Sequence, residues 1–183
     1  MSIATRKGDG GETDLLFGAR VSKASDRIQA LGEVDELNAA LGLLRVHAAD
    51  PRVIEICAKV QLWLIGLMGE LATPTGKEET YASTHAQHVK PEQLEFLDAR
   101  VAEFEAQKMT FKGWVLPGAA GSKGGAFADL ARAVCRRAER AVVALAEPLT
   151  HDLPLHFLNR LSDVLWLAAR VEDKLGEVAT DDT

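Results

Sequence analysis

The chain has 183 residues, of which 47% are apolar and only 5% aromatic, and 21 basic against 27 acidic side chains give it a formal net charge of −6. A single domain around one core is expected at this length. The acidic balance argues against a general nucleic-acid binder, which needs a basic surface to displace phosphate counterions. Abundant Ala, Leu, Glu and Arg favour helices over strands. Cys57 and Cys135 lie far apart, each within an apolar helical pattern, so buried free thiols in a reducing compartment are expected. The N-terminus carries no apolar run of signal-peptide length, and no segment approaches the roughly 18 apolar residues of a membrane span, which predicts a cytoplasmic protein with no membrane contact.

Residues 5–26 hold Gly8, Gly10, Gly11 and Gly18 among Asp, Thr, Ser and Lys with no sustained period. A segment of this kind is predicted to be an ordered loop or extended arm; loops of this length tend to be either functional or disordered, and its charged, glycine-rich character suits phosphate contact equally well. From Arg27 to about Ala48, Leu31, Val34, Leu37, Leu41 and Leu44 recur at spacings of three and four, the stripe of an amphipathic helix flanked by Asp35 and Asn38. Asp50-Pro51 predicts the start of a second helix, running through Val53, Ile56, Val60, Leu64, Leu67 and Leu71 to a stop at Thr73-Pro74. Residues 73–90 read as a surface loop in which His85 and His88 are solvated.

A third helix is predicted from about Pro91, with Leu94, Leu97, Val101 and Phe104 inward and a charged face in solvent. Residues 109–125 read as a short apolar segment followed by a glycine-rich turn. The fourth helix buries Phe127, Leu130, Ala131, Val134, Ala138, Ala141, Val142 and Leu145, and the fifth, from about Pro154 to Val178, turns Leu158, Leu161, Leu165 and Ala168 inward. An all-α five-helix bundle follows. The predicted division is one domain over 1–183, with 1–26 as an N-terminal loop, 27–178 as the bundle and 179–183 as a tail.

Arg132, Arg136 and Arg140 fall at i, i+4 and i+8, joined by Arg137 and by Glu139. Like charges stacked in this way repel. The cost is lower if an anion or carboxylates from elsewhere lie between the guanidinium groups, and planar Arg suits bidentate phosphate contact; an exposed basic face paired with local acids is the alternative. Asn159 and Asp163 share one side of the last helix, where Asn can read a base or ribose edge or simply bond a neighbouring helix. No Walker A arrangement, Glu-x-x-His, zinc-ligand spacing or Ser, His and Asp triad is found, and no metal ligands are assigned.

Four blocks, in this order, resemble the PduO-type ATP:cob(I)alamin adenosyltransferases. They are Thr5 to Thr13 followed by Arg20-Val21-Ser22-Lys23; Gly32-Glu33-Val34-Asp35-Glu36-Leu37-Asn38; Arg132 to Arg140; and Leu158-Asn159-Arg160-Leu161-Ser162-Asp163. Gln61, the Gly69 to Pro74 string and Trp114-Val115-Leu116-Pro117-Gly118 add weaker matches. The resemblance implies a homotrimer of helical bundles that moves the adenosyl group of ATP to the cobalt of cob(I)alamin and releases triphosphate. ATP would lie between subunits with Mg²⁺, and the corrinoid in an adjoining pocket.

It further implies that the arm, with Thr5, Arg6, Gly8, Asp9, Gly11, Thr13 and Lys23, wraps the triphosphate. Arg136 and Glu139 would serve the ATP site, Asn159 would fix the nucleoside, and Arg132 would pair with Asp35 across the subunit boundary. Trp114 stands where the family more often has Phe against the lower face of the corrin, and the stretch from Ala119 to Gly125 is longer than the family pattern. A reductase and an adenosylcobalamin-dependent enzyme are the implied partners.

Overall fold

The structure, a computed structural model, describes residues 4, 6–109 and 114–181, with side chains up to residue 175. Among these residues six helices follow a short hairpin of β1 (Glu12–Asp14) and β2 (Arg20–Ser22): α1 (Asp26–His47), α2 (Pro51–Leu71), α3 (Glu78–Thr84), α4 (Pro91–Glu105), α5 (Lys123–Val143) and α6 (Leu153–Asp181). The expected all-α architecture of five helices is thereby corrected to a mostly helical one with six helices and a small antiparallel sheet. The sheet pairs Glu12 with Ser22, Thr13 with Val21 and Asp14 with Arg20. Strands of three residues are too short to display an alternation that a sequence reading could detect.

The caps follow from composition. Ser25 accepts from the Ile28 N–H to start α1, Asp50 accepts from the Arg52 N–H ahead of Pro51 in α2, and Ser122 accepts from the Gly125 N–H in α5. Gly124 and Gly125 therefore lie inside α5, not in the preceding turn. A Cβ at either would run into the carboxylates of Glu172 and Asp173 on α6, so these two glycines allow α5 and α6 to approach closely. In the bundle α5 packs against both α1 and α6, α1 against α2, and α4 against α6.

Val53, Ile56, Val60, Leu64, Leu67 and Leu71 of α2 are all buried, as are Leu158, Leu161, Leu165 and Ala168 of α6. Trp63, Phe96 and Phe157 meet edge to face where α2, α4 and α6 come together. Leu130 departs from its expected place in the α5 stripe and stands 47% exposed. Cys57 and Cys135 are free and buried, and burial pushes the Cys57 thiol up to about 12 and Cys135 upward as well.

The helix α3 occupies part of the segment read as a loop. Seven residues are too few for a periodic signal; the helix is held by Tyr81, which is buried and donates its hydroxyl to the Gln87 carbonyl at 2.7 Å. The expected solvation of His88 is also corrected, since its Nδ1 is buried. The last helix continues through the residues expected to form a tail, as far as Asp181. No helix among the described residues is long and apolar enough to cross a membrane.

Candidate functional site

The residues that the sequence marks for binding fall into two groups. The first is the N-terminal arm. Turn bonds from the Asp9 N–H to the Arg6 carbonyl and from the Gly11 N–H to the Gly8 carbonyl lead into the hairpin, and the Lys23 N–H returns to the Gly11 carbonyl at 2.9 Å. Arg6 adopts a left-handed φ of 59° and Gly11 one of 82°.

A Cβ on Gly8 would lie 2.9 Å from Lys23 Nζ, so the ammonium rests over the Gly8 backbone. Arg6, Gly8, Asp9, Gly11, Thr13 and Lys23 are thus brought together on one hairpin; Thr5 lies outside the described residues. Arg20 braces the hairpin by pairing with Glu12 at 3.2 Å and Asp14 at 3.3 Å.

The arm is moored at its root by groups that the sequence reading did not single out. Arg27 Nη1 donates to the Leu71 carbonyl at 3.3 Å and the Thr73 carbonyl at 3.0 Å, while Nη2 reaches the Glu147 carbonyl at 3.4 Å. Asp26 accepts from the Ala146 N–H at 2.7 Å, a bond that holds its carboxyl below the usual range. Farther out, the Leu16 N–H donates to the Ala72 carbonyl at 2.9 Å. The acceptors of Arg27 and Leu16 are backbone carbonyls at the end of α2 and in the loop after α5, for which sequence carries no signal beyond the position of Arg27 at the start of α1.

The second group lies on α5 and α6. Arg136 Nη1 sits 2.7 Å from Glu139 Oε2 and donates to Asn159 Oδ1 at 3.4 Å. Both contacts use one nitrogen, which leaves Nη2 and Nε available to a further acceptor. Arg140 turns back onto the Arg136 carbonyl at 3.0 Å. Arg137 faces away, pairing with Glu33 and Glu36 of α1.

Arg132 and Asp35 do not meet within the chain. Arg132 Nε is 3.8 Å from Asp129, too far for a hydrogen bond, and has none among the described residues. Asp35 is exposed on α1, and Trp114 is 99% exposed. Among the described residues no hydrogen bond or ion pair joins the arm to Arg132, Arg136 or Asn159, so the two groups stand apart within one chain.

A sequence model of the family described as cobalamin adenosyltransferase matches residues 3–172. A cobalamin adenosyltransferase of Cupriavidus metallidurans is 41% identical over 176 residues, covering 95% of this chain and 89% of that protein. The corrinoid adenosyltransferase of Bacillus subtilis is 37% identical over 93% of this chain and 86% of its own length. The corrinoid adenosyltransferase PduO of Salmonella typhimurium is 36% identical over 94% of this chain, which spans 50% of that longer protein. Among solved structures, a variant PduO-type ATP:corrinoid adenosyltransferase from Lactobacillus reuteri complexed with cobalamin and ATP superposes with a TM-score of 0.84 at 30% identity, covering 95% of this chain and 92% of that one.

Proposed function

Because the chain belongs to the cobalamin adenosyltransferase family, we infer that it transfers the 5′-deoxyadenosyl group of ATP to the cobalt of cob(I)alamin or a related corrinoid, releasing triphosphate. The family match across residues 3–172 is the observation that carries this reading. In the reaction a cobalt–carbon bond forms as the C5′–O bond of ATP breaks. The cobalt of the substrate supplies both electrons of the new bond, and the electrons of the old one leave with triphosphate. With the nucleophile contained in a substrate, the protein must position the partners and stabilise departing charge, and it needs no general base.

Arg136 is assigned the departing charge, with Glu139 and Asn159 setting its guanidinium and Asn159 also fixing the nucleoside. The arm, from Thr5 through Lys23, wraps the triphosphate of ATP bound against the arginine helix of a neighbouring subunit. The separation of the two groups within one chain supports this division. Asp35 shares a stripe of α1 with Leu43 and Val46, which are 47% and 78% exposed, and such a stripe suits burial against a second copy. There Asp35 would pair with the partner subunit's Arg132 in a homotrimer.

Mg²⁺ would travel with the triphosphate. No group of three or more His, Cys, Asp or Glu among the described residues could hold a metal, which suits an ion coordinated mainly by phosphate oxygens and water. Trp114 would lie against the lower face of the corrin, for which its exposed indole is available. The whole chain is read as one cytoplasmic domain that receives electrons through a reductase and passes its product to an adenosylcobalamin-dependent enzyme.

Purified protein mixed with ATP, Mg²⁺ and chemically reduced cobalamin is expected to give the absorbance spectrum of adenosylcobalamin together with free triphosphate. An unchanged spectrum would sink the reading. The cross-subunit pair has its own test in Asp35→Asn, which is expected to shift the trimer toward monomer in sedimentation velocity and to lower the rate. A full trimer with full rate would refute it.

A further inference from the structure

The last turn of α2 carries a carboxylate that the mechanism above does not use. Glu70 is 9% exposed and its two oxygens face different segments. Oε1 accepts from the Val89 N–H at 2.5 Å, just ahead of α4, and Oε2 lies 3.2 Å from Nε2 of His151 in the loop between α5 and α6. Burial pushes Glu70 up from its ordinary value, opposed by the Val89 N–H and by the imidazoles of His151 and His88. Glu70, His151 and His88 line a cavity of about 540 Å³ together with Tyr81, Glu78 and Glu79 of α3. Beside His151, Asp152 faces His156 at 3.5 Å.

The residues next to this pair are those that moor the arm. Leu71 and Thr73 accept from Arg27, and Ala72 accepts from Leu16. Thr75 bonds the Glu147 carboxylate, and Ala146 and Glu147 hold Asp26 and Arg27. The arm thus rests on two segments, 71–75 and 145–147, and the contact between Glu70 and His151 ties those segments together. An imidazole is the side chain whose charge ordinarily changes between pH 5 and 8.

We propose that Glu70 and His151 form a protonation-sensitive clasp that positions the nucleotide-binding arm, so that ATP is held more tightly when His151 carries a proton. The proposal rests on the reading of the arm as the ATP-binding segment. Both are positioning residues. With a neutral imidazole at 3.2 Å, the buried Glu70 carboxylate lacks its charged partner, and the two segments are joined only by Arg27 and by the bond between Thr75 and Glu147 among the contacts described above.

The test measures KM for ATP and kcat at about pH 6 and pH 8, with trypsin cleavage at Arg20 and Lys23 as an independent measure of arm order. For the unmodified protein KM is expected to rise on the order of fivefold with pH, with a smaller change in kcat, while arm cleavage accelerates. His151→Gln, whose exposed amide donates at every pH, is expected to flatten both trends. Identical pH profiles for the two proteins would overturn the clasp. Lys23→Ala separates the failures. If it raises KM while His151→Gln matches the unmodified protein, only the clasp falls; if it leaves KM unchanged, the arm reading falls and the clasp with it.

Discussion

Replacing Arg136 with alanine is expected to lower kcat/KM by on the order of a hundredfold or more while the protein stays folded. The side chain is 46% exposed, and its contacts to Glu139 and Asn159 lie at the surface, so the loss to stability is small. What disappears is a fixed guanidinium whose Nη2 and Nε make no hydrogen bond among the described residues and can meet an anion. Arg136→Lys should recover only part of the rate, because an ammonium cannot hold Glu139 and a phosphate in one plane. The measurement is steady-state adenosylation with a thermal melt of the same preparation. A rate within threefold of the unmodified enzyme would remove Arg136 from the mechanism, and a collapse of the melt would make it a structural residue.

Arg170→Ala is expected to cost about 3–5 kcal/mol of stability, the largest loss foreseen for any polar position in the bundle. Arg170 is 4% exposed on α6; its Nη2 pairs with Asp129 of α5 and lies 3.2 Å from Asp173. Its removal takes the Arg170 guanidinium away from two buried carboxylates, Asp129 and Asp173, beside the point where Gly124 and Gly125 bring α5 against α6. The adjacent Glu172 accepts from the backbone N–H groups of Ala49 and Asp50, so the same end of α6 also anchors the turn between α1 and α2. A urea titration with unchanged slope would report the loss directly. Adding Asp129→Asn to Arg170→Ala should restore part of it, since one of the carboxylates that faced Arg170 is then uncharged. A loss below about 1 kcal/mol would show that the carboxylates need no cation there.

Much of the bundle was legible because its longer helices satisfy local rules. Asp50-Pro51 announced the start of α2, and every residue that the apolar spacing along α2 and α6 turned inward is buried. The reading failed where elements are short or where a distant partner decides. The hairpin and α3 are too brief to have a period, and Gly124 and Gly125 looked like a turn until Glu172 and Asp173 supplied the reason for a helix without side chains at those positions. Leu130 fits the period of α5, yet it remains 47% exposed among the described residues.

The candidate site divides along the same line. The arginine spacing on α5 and the glycine-rich arm are properties of contiguous sequence, and the family resemblance rests on them. The orientation of Arg136 by Asn159, 23 residues away, and the mooring of the arm by Arg27 are not. Nor is the burial of Glu70 between Val89 and His151.

Sequence by itself determined where the long helices run, most of their apolar faces and which segments carry cations and glycines, because these depend on neighbours three or four residues apart. Tertiary structure alone decided which carbonyls the arm rests on, which charges are buried together and which arginine keeps free donors. Those outcomes depend on groups distant in sequence being brought into contact and removed from water, where an unpaired charge is costly.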